Sequence, residues 1–232
     1  MKAMGHWIEQ FLRNGVPFQA PVARRAENGV TERVIAFKDP DRLQLELVGV
    51  ADRHSDMPDT ITDEYAIRGF HGVTLWLEET RPTSAFLMEV LGFRPAVETE
   101  SGTVRHRIGA SDGRSIGAIV DLRAAPGFWT GASGVGTIHH VAFRAENERV
   151  QDAFRQEIAS YGLEPTDPLD RNYFRSVYFR EPGDTLFEIA TDGPGLFVDE
   201  PRETSGQDLM LPAWLEPLRA EITATLPAIE LP

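Results

Sequence analysis

The 232-residue sequence contains no cysteine, which excludes disulfides, thiolate nucleophiles and cysteine-based zinc or iron–sulfur centres. Basic residues are few relative to acids: 23 Lys and Arg face 36 Asp and Glu, for a formal charge of −13. With a pI near 4.9, the chain has no surplus of cations to displace counterions from a nucleic-acid backbone. No apolar run approaches the roughly 18 residues that a membrane-spanning helix requires. Met1–Trp7 carries one lysine and no hydrophobic stretch of the signal-peptide kind. These absences read as a cytoplasmic protein with neither nucleic acid nor membrane as a partner. Any metal must then be held by histidine and carboxylate. What is present, 41% hydrophobic and 25% charged residues, is ordinary for a folded chain, and the length allows one large domain or two of about 100 residues.

The chain repeats itself. The stretch Val34–Leu47 recurs at offset 142 in the stretch that includes Val177–Ile189, so that Phe37 meets Phe179, Pro40 meets Pro182 and Glu46 meets Glu188. Each copy alternates apolar and polar residues around a Pro-Asp or Pro-Gly centre, the pattern of two strands and a tight turn. Upstream of each lies a second repeat: Trp7–Gly15 parallels Phe154–Gly162 at offset 147. Trp7, Phe11 and Leu12 fall on one helical stripe and Gly15 is a plausible helix stop. A third copy sits between them, where Phe70–Leu75 resembles Ile138–Phe143 at offset 68.

The repeating element is therefore strand, helix and two or three strands. The predicted fold class is α+β, with βαβββ units forming curved mixed sheets. Residues 1–50 read as an incomplete unit beginning at its helix, and 51–66 as an acidic linker. A second unit covers 67–126 and a third 135–192. In the third unit a strand is expected at 137–144, a helix at 147–161 and a hairpin at 174–190. Residues 193–232 form a tail with one amphipathic helix from about Trp214 to Leu226.

Among six histidines, only His139 and His140 lie inside a strongly apolar strand, where alternation sends the two to opposite faces. Glu188, between Phe187 and Ile189, is a carboxylate in a strand otherwise built for burial, and a buried carboxylate is costly unless paired or bound to metal. His140 and Glu188 open and close the same unit. Together they supply two-thirds of a facial triad for Fe(II) or Mn(II). A satisfied core histidine is the plainer reading of His140 by itself, and Glu46 holds the place of Glu188 in the first copy with no visible histidine partner. Tyr178 reads as strand packing, Arg171 as a loop charge and His71 as structural. His6, His54 and His106 read as surface residues.

The segments Gly136–Arg144, Asp170–Gly183, Leu186–Gly195 and Leu211–Pro217 resemble the vicinal oxygen chelate superfamily, which includes glyoxalases, bleomycin-resistance proteins and extradiol dioxygenases. More narrowly they resemble enzymes that open hydroquinone-type rings. That resemblance implies a metal-dependent dioxygenase that uses Fe(II) or Mn(II) and O₂ on a small hydroquinone- or catechol-type substrate. It implies His140 and Glu188 as metal ligands, Tyr178 and Arg171 beside the substrate, and His139 accompanying the ligand histidine. Such enzymes have four units and take their other histidine ligand from a His-His strand in the first. Residues 1–50 hold no such strand, so the N-terminal unit is expected to be missing. The remaining ligand would come from His6, from another position or from a second chain. Two alternatives stand beside this reading: a glyoxalase-like lyase or isomerase with a metal site shared across a homodimer, and a non-catalytic binding protein. All three predict a homo-oligomer.

Overall fold

A computed structural model describes residues 2–26, 31–49, 65–98, 102–109, 117–128 and 131–227. Most of the expected linker, and His54 with it, lies outside these residues. The chain divides into two compact units. One comprises Met1–Val141 with Arg180–Leu186, and the other Ala142–Phe179 with Phe187–Pro232.

The first unit opens with helix α1 (Lys2–Arg13). Its Phe11 ring packs 4.7 Å from Phe37 and 5.6 Å from Phe18. Leu12, expected on the same stripe, is 68% exposed: a residue one place on from Phe11 is rotated about 100° around the axis, away from the sheet. The helix stops at Gly15, whose φ of +66° is the left-handed conformation that glycine adopts without a Cβ clash. An antiparallel sheet follows, in the order β1 (Val22–Arg25), β2 (Thr31–Lys38), β3 (Gln44–Gly49). Its β2–β3 hairpin pairs Ile35 with Leu47 and Phe37 with Leu45.

The second sheet of this unit is mixed. β4 (Gly72–Leu77) lies parallel to β7 (Ile119–Ala124), and β7 runs antiparallel to β6 (Thr103–Arg107), which pairs with β5 (Arg94–Glu98). Helix α2 (Arg81–Glu89) connects β4 to β5 and buries Phe86 and Leu87. Leu122 and Val120 complete this core.

The second unit repeats that order. β8 (Val141–Ala145), β11 (Leu186–Thr191), β10 (Arg175–Arg180) and β9 (Leu169–Asp170) lie side by side as β4, β7, β6 and β5 do. Helix α3 (Glu148–Ser160) begins at Asn147, whose side chain accepts a hydrogen bond from the Val150 N–H at 3.1 Å. Gln151 fixes the helix on the sheet by donating to the carbonyls of Arg175 (2.8 Å) and Ile189 (2.7 Å).

Two expectations on secondary structure need correction. β8 starts at Val141, so His139 and His140 precede the strand instead of alternating within it. The tail helix is shorter than the amphipathic pattern suggested: a 3-10 turn covers Glu216–Leu218 and helix α4 only Arg219–Thr225, with Trp214 outside and exposed. Pro217, with no N–H to give, belongs to the opening turn and prevents the α-helix from extending back toward Trp214.

Candidate active site

The sheet of the second unit separates two chemistries by the period-two alternation of its strands. Phe143, Phe179 and Phe187 meet on one face, with ring centroids 4.9 and 5.9 Å apart. The other face carries Glu188 from β11 and Ser176 and Tyr178 from β10. Glu188 is only 2% exposed, and the Ser176 hydroxyl donates a short hydrogen bond to its Oε1. The Arg171 guanidinium lies 5.4 Å from the centroid of the Tyr178 ring. On the same face Arg144 of β8 grips Asp192 through two hydrogen bonds, at 2.7 and 2.5 Å.

His139 and His140 sit immediately before β8, their rings nearly perpendicular (88°) with centroids 5.2 Å apart. Their Nδ1 atoms are 2.9 Å from one another, so one donates and the other accepts. If His140 is the donor, its Nε2 carries the lone pair that a metal requires. The structure thus joins His139 to His140, Glu188 to Ser176 and Arg171 to Tyr178. Among the described residues, no group of three His, Asp or Glu side chains is disposed to hold a metal ion. His6, one source considered for a further ligand, stacks on Tyr65 at 4.4 Å and 5°.

A second polar centre, in the first unit, was not foreseen. Arg105 donates to both oxygens of Asp121, at 2.8 Å each, and to Glu32 Oε1 at 2.7 Å. His71 Nε2 lies 2.8 Å from the same Glu32 oxygen, and Arg24 donates to Glu32 Oε2 at 2.8 Å. Burial pushes the Glu32 carboxyl up, but the hydrogen bonds from His71 and Arg105 outweigh it and hold the group well below the usual carboxylate range. Burial likewise opposes the charge on Arg105, and its two carboxylate partners raise it above its ordinary value. His71 belongs to this buried cluster through its contact with Glu32. His106, expected at the surface, is fully buried, 2.7 Å from the Ser84 hydroxyl, and burial lowers its pKa. Alternation explains the error: His106 falls on the α2 side of β6, whereas its neighbours Arg105 and Arg107 fall on the other.

Glu46, the counterpart of Glu188, is half-exposed and pairs with Arg24 at 2.9 Å. The same repeat position therefore carries an ion pair in one copy and a buried, serine-held carboxylate in the other. Ser176 and Arg105 could have been singled out from the sequence only by knowing which residues lie across the strands from them.

The profile of the Glyoxalase/Bleomycin resistance protein/Dioxygenase superfamily matches residues 69–189. The chain belongs to this superfamily. Among its superfamily relatives, "Putative ring-cleaving dioxygenase MhqO" of Bacillus subtilis is 38% identical, over 99% of this chain and 70% of that protein. The chlorohydroquinone/hydroquinone 1,2-dioxygenase of Sphingobium indicum is 29% identical, over 72% of this chain and 51% of that protein. A Bacillus subtilis crystal structure described as a "putative dioxygenase" superposes with a TM-score of 0.86 at 37% identity, covering 98% of this chain and 70% of that one. The repeated βαβββ architecture is that of the superfamily. Among the described residues, no helix is long and apolar enough to cross a membrane.

Proposed function

We propose that this chain is a metal-dependent dioxygenase of the extradiol type that opens a hydroquinone- or catechol-type ring with O₂. The observation that carries the reading is the Glu188 carboxylate, buried on the face of the sheet away from its aromatic layer and held by Ser176. His140 leads into β8, the neighbour of β11 in that sheet, and precedes it in the parity of Ala142 and Arg144. An imidazole and a carboxylate suit Fe(II) or Mn(II) and make two members of a two-histidine, one-carboxylate triad. Such a metal, when bound, supplies the Lewis acid and redox centre for an aromatic diol and O₂.

The chain's own residues orient and stabilise. Glu188 supplies the carboxylate, and Ser176 holds its Oε1. His139 holds the His140 ring through the Nδ1–Nδ1 hydrogen bond and sets its tautomer. The Tyr178 hydroxyl is the donor for a substrate oxygen, and Arg171 above its ring offers fixed positive charge to anionic oxygen. The protein acts in the cytoplasm as a homo-oligomer in this reading.

The test is metal analysis of anaerobically reconstituted protein, read against its mass in solution. About one Fe(II) or Mn(II) per chain, lost in both His140→Ala and Glu188→Ala, is expected of a complete triad. Oxygen uptake with hydroquinones and catechols should follow. Half that stoichiometry would replace this reading with the shared, glyoxalase-like site, and no metal in a folded oligomer would leave a binding protein.

A further inference from the structure

The two copies of the β-hairpin have tips of the same construction. In the first, Asp39 N–H donates to the Leu43 carbonyl at 3.1 Å, Arg42 has φ +73°, and Asp39 Oδ1 accepts from the Leu43 N–H at 2.8 Å. In the second, Glu181 N–H donates to Thr185 at 3.1 Å, Asp184 has φ +68°, and Glu181 Oε1 accepts from the Thr185 N–H at 2.9 Å. Asp41 and Gly183 are therefore equivalent tip positions. Both are pressed against something. A Cβ on Gly183 would lie 2.6 Å from Thr83 Oγ1, and one on Gly136 would lie 2.1 Å from the Asp41 carbonyl oxygen.

Gly136 stands four residues before His140, at φ +78°. Only glycine satisfies both demands, because the left-handed backbone and the approaching carbonyl each reject a side chain. The turn is braced on its other side by Thr137, whose hydroxyl donates to the Gly134 carbonyl at 2.7 Å and accepts from the Gly134 N–H at 2.9 Å. After this turn the chain has only Ile138 before the histidine pair, and β8 begins directly beyond it.

We propose that the turn Gly134–Thr137, seated on the first hairpin's Asp41 carbonyl, is a positioning element for His139 and His140. It fixes where the pair starts, and so whether the two Nδ1 atoms meet. The first hairpin thereby bears on the histidine pair, which lies in the same compact unit. The inference rests on the reading of His140 as a metal ligand for its functional consequence, but not for its structural one.

The experiment compares wild type with Gly136→Ala, Thr137→Val, Thr137→Ser and Leu122→Ala, the last a core variant away from the turn. Nitrogen-15 spectra of the imidazoles are recorded in metal-free protein, and Mn(II) affinity is measured in parallel. Expected are loss of the unequal tautomers of His139 and His140, together with about a tenfold weaker Mn(II) affinity, in Gly136→Ala and Thr137→Val. Thr137→Ser and Leu122→Ala should keep both. If Gly136→Ala does not fold, Thr137→Val carries the test, since that site is exposed. Unchanged histidine signals in folded Gly136→Ala or Thr137→Val overturn the proposal, as does an equal change in Leu122→Ala. Absence of Mn(II) binding by wild type would count against the metal reading alone, and the histidine signals would still judge the turn.

Discussion

Arg105 and Glu32, 73 residues apart in sequence, meet at 2.7 Å with both side chains almost wholly withdrawn from water. Asp121 holds the rest of the guanidinium and His71 and Arg24 the rest of the carboxylate, so the charges are matched within one cluster. Such clusters are more expensive to break than to omit, because removing one partner leaves the others charged and dry.

Arg105→Met should therefore cost the first unit about 3–5 kcal/mol, far beyond the loss expected from an exposed ion pair. Urea unfolding monitored by Trp7 and Trp76 fluorescence measures it. Glu9→Ala, which removes the exposed pair with Arg13, should change stability by less than about 0.5 kcal/mol in the same assay.

Acid should unfold the protein in two stages. His106, its pKa lowered from 6.5 by burial, stays neutral in the fold while the unfolded chain takes up a proton, so stability declines as pH falls below about 6.5. Glu32, its pKa lowered, contributes stability that is complete above its ordinary value of 4.5 and lost as pH falls further. Denaturation midpoints should be flat near neutrality, fall gently below 6.5 and steeply below 4.5. His106→Gln should remove the upper stage only.

Glu181 buries its carboxylate at the second hairpin tip and accepts from Thr83 Oγ1 at 2.6 Å. Thr83→Val keeps the shape and removes that donor, at an expected cost of about 1–3 kcal/mol. Thr83→Ser should restore most of it. Equal melting temperatures for the two variants would contradict the hydrogen-bond argument.

Tyr178→Phe keeps the ring beneath Arg171 and deletes the hydroxyl. On the proposed mechanism, kcat for ring opening falls about a hundredfold while metal content is unchanged. Ser176→Ala has the opposite signature, about tenfold weaker metal binding before any effect on turnover at saturating metal. Metal titration followed by oxygen-uptake kinetics separates the two.

Much of the architecture was legible because repetition and alternation are written locally. The ungapped match of the two hairpins led to equivalent tips with the same hydrogen bonds, and Phe187-Glu188-Ile189 announced a carboxylate set into a buried strand. The strand predicted through His139 and His140 was the instructive failure. The apolar pattern around them suits a strand, but the turn that feeds them is set by a carbonyl about 95 residues earlier in the chain, which no local pattern encodes.

The sequence by itself determined the repeat, the α+β class and the restriction of any metal site to histidine and carboxylate, and it singled out His140 and Glu188 as candidate ligands. Tertiary structure alone decided that Glu188 is held by Ser176 while its counterpart Glu46 pairs with Arg24. It also decided that Arg105, Asp121, Glu32 and His71 form one buried cluster, and that His106 faces the core. The reason is physical: periodicity along a strand says which face a side chain takes, whereas the partner waiting on that face comes from a different strand, chosen by how the sheets fold together.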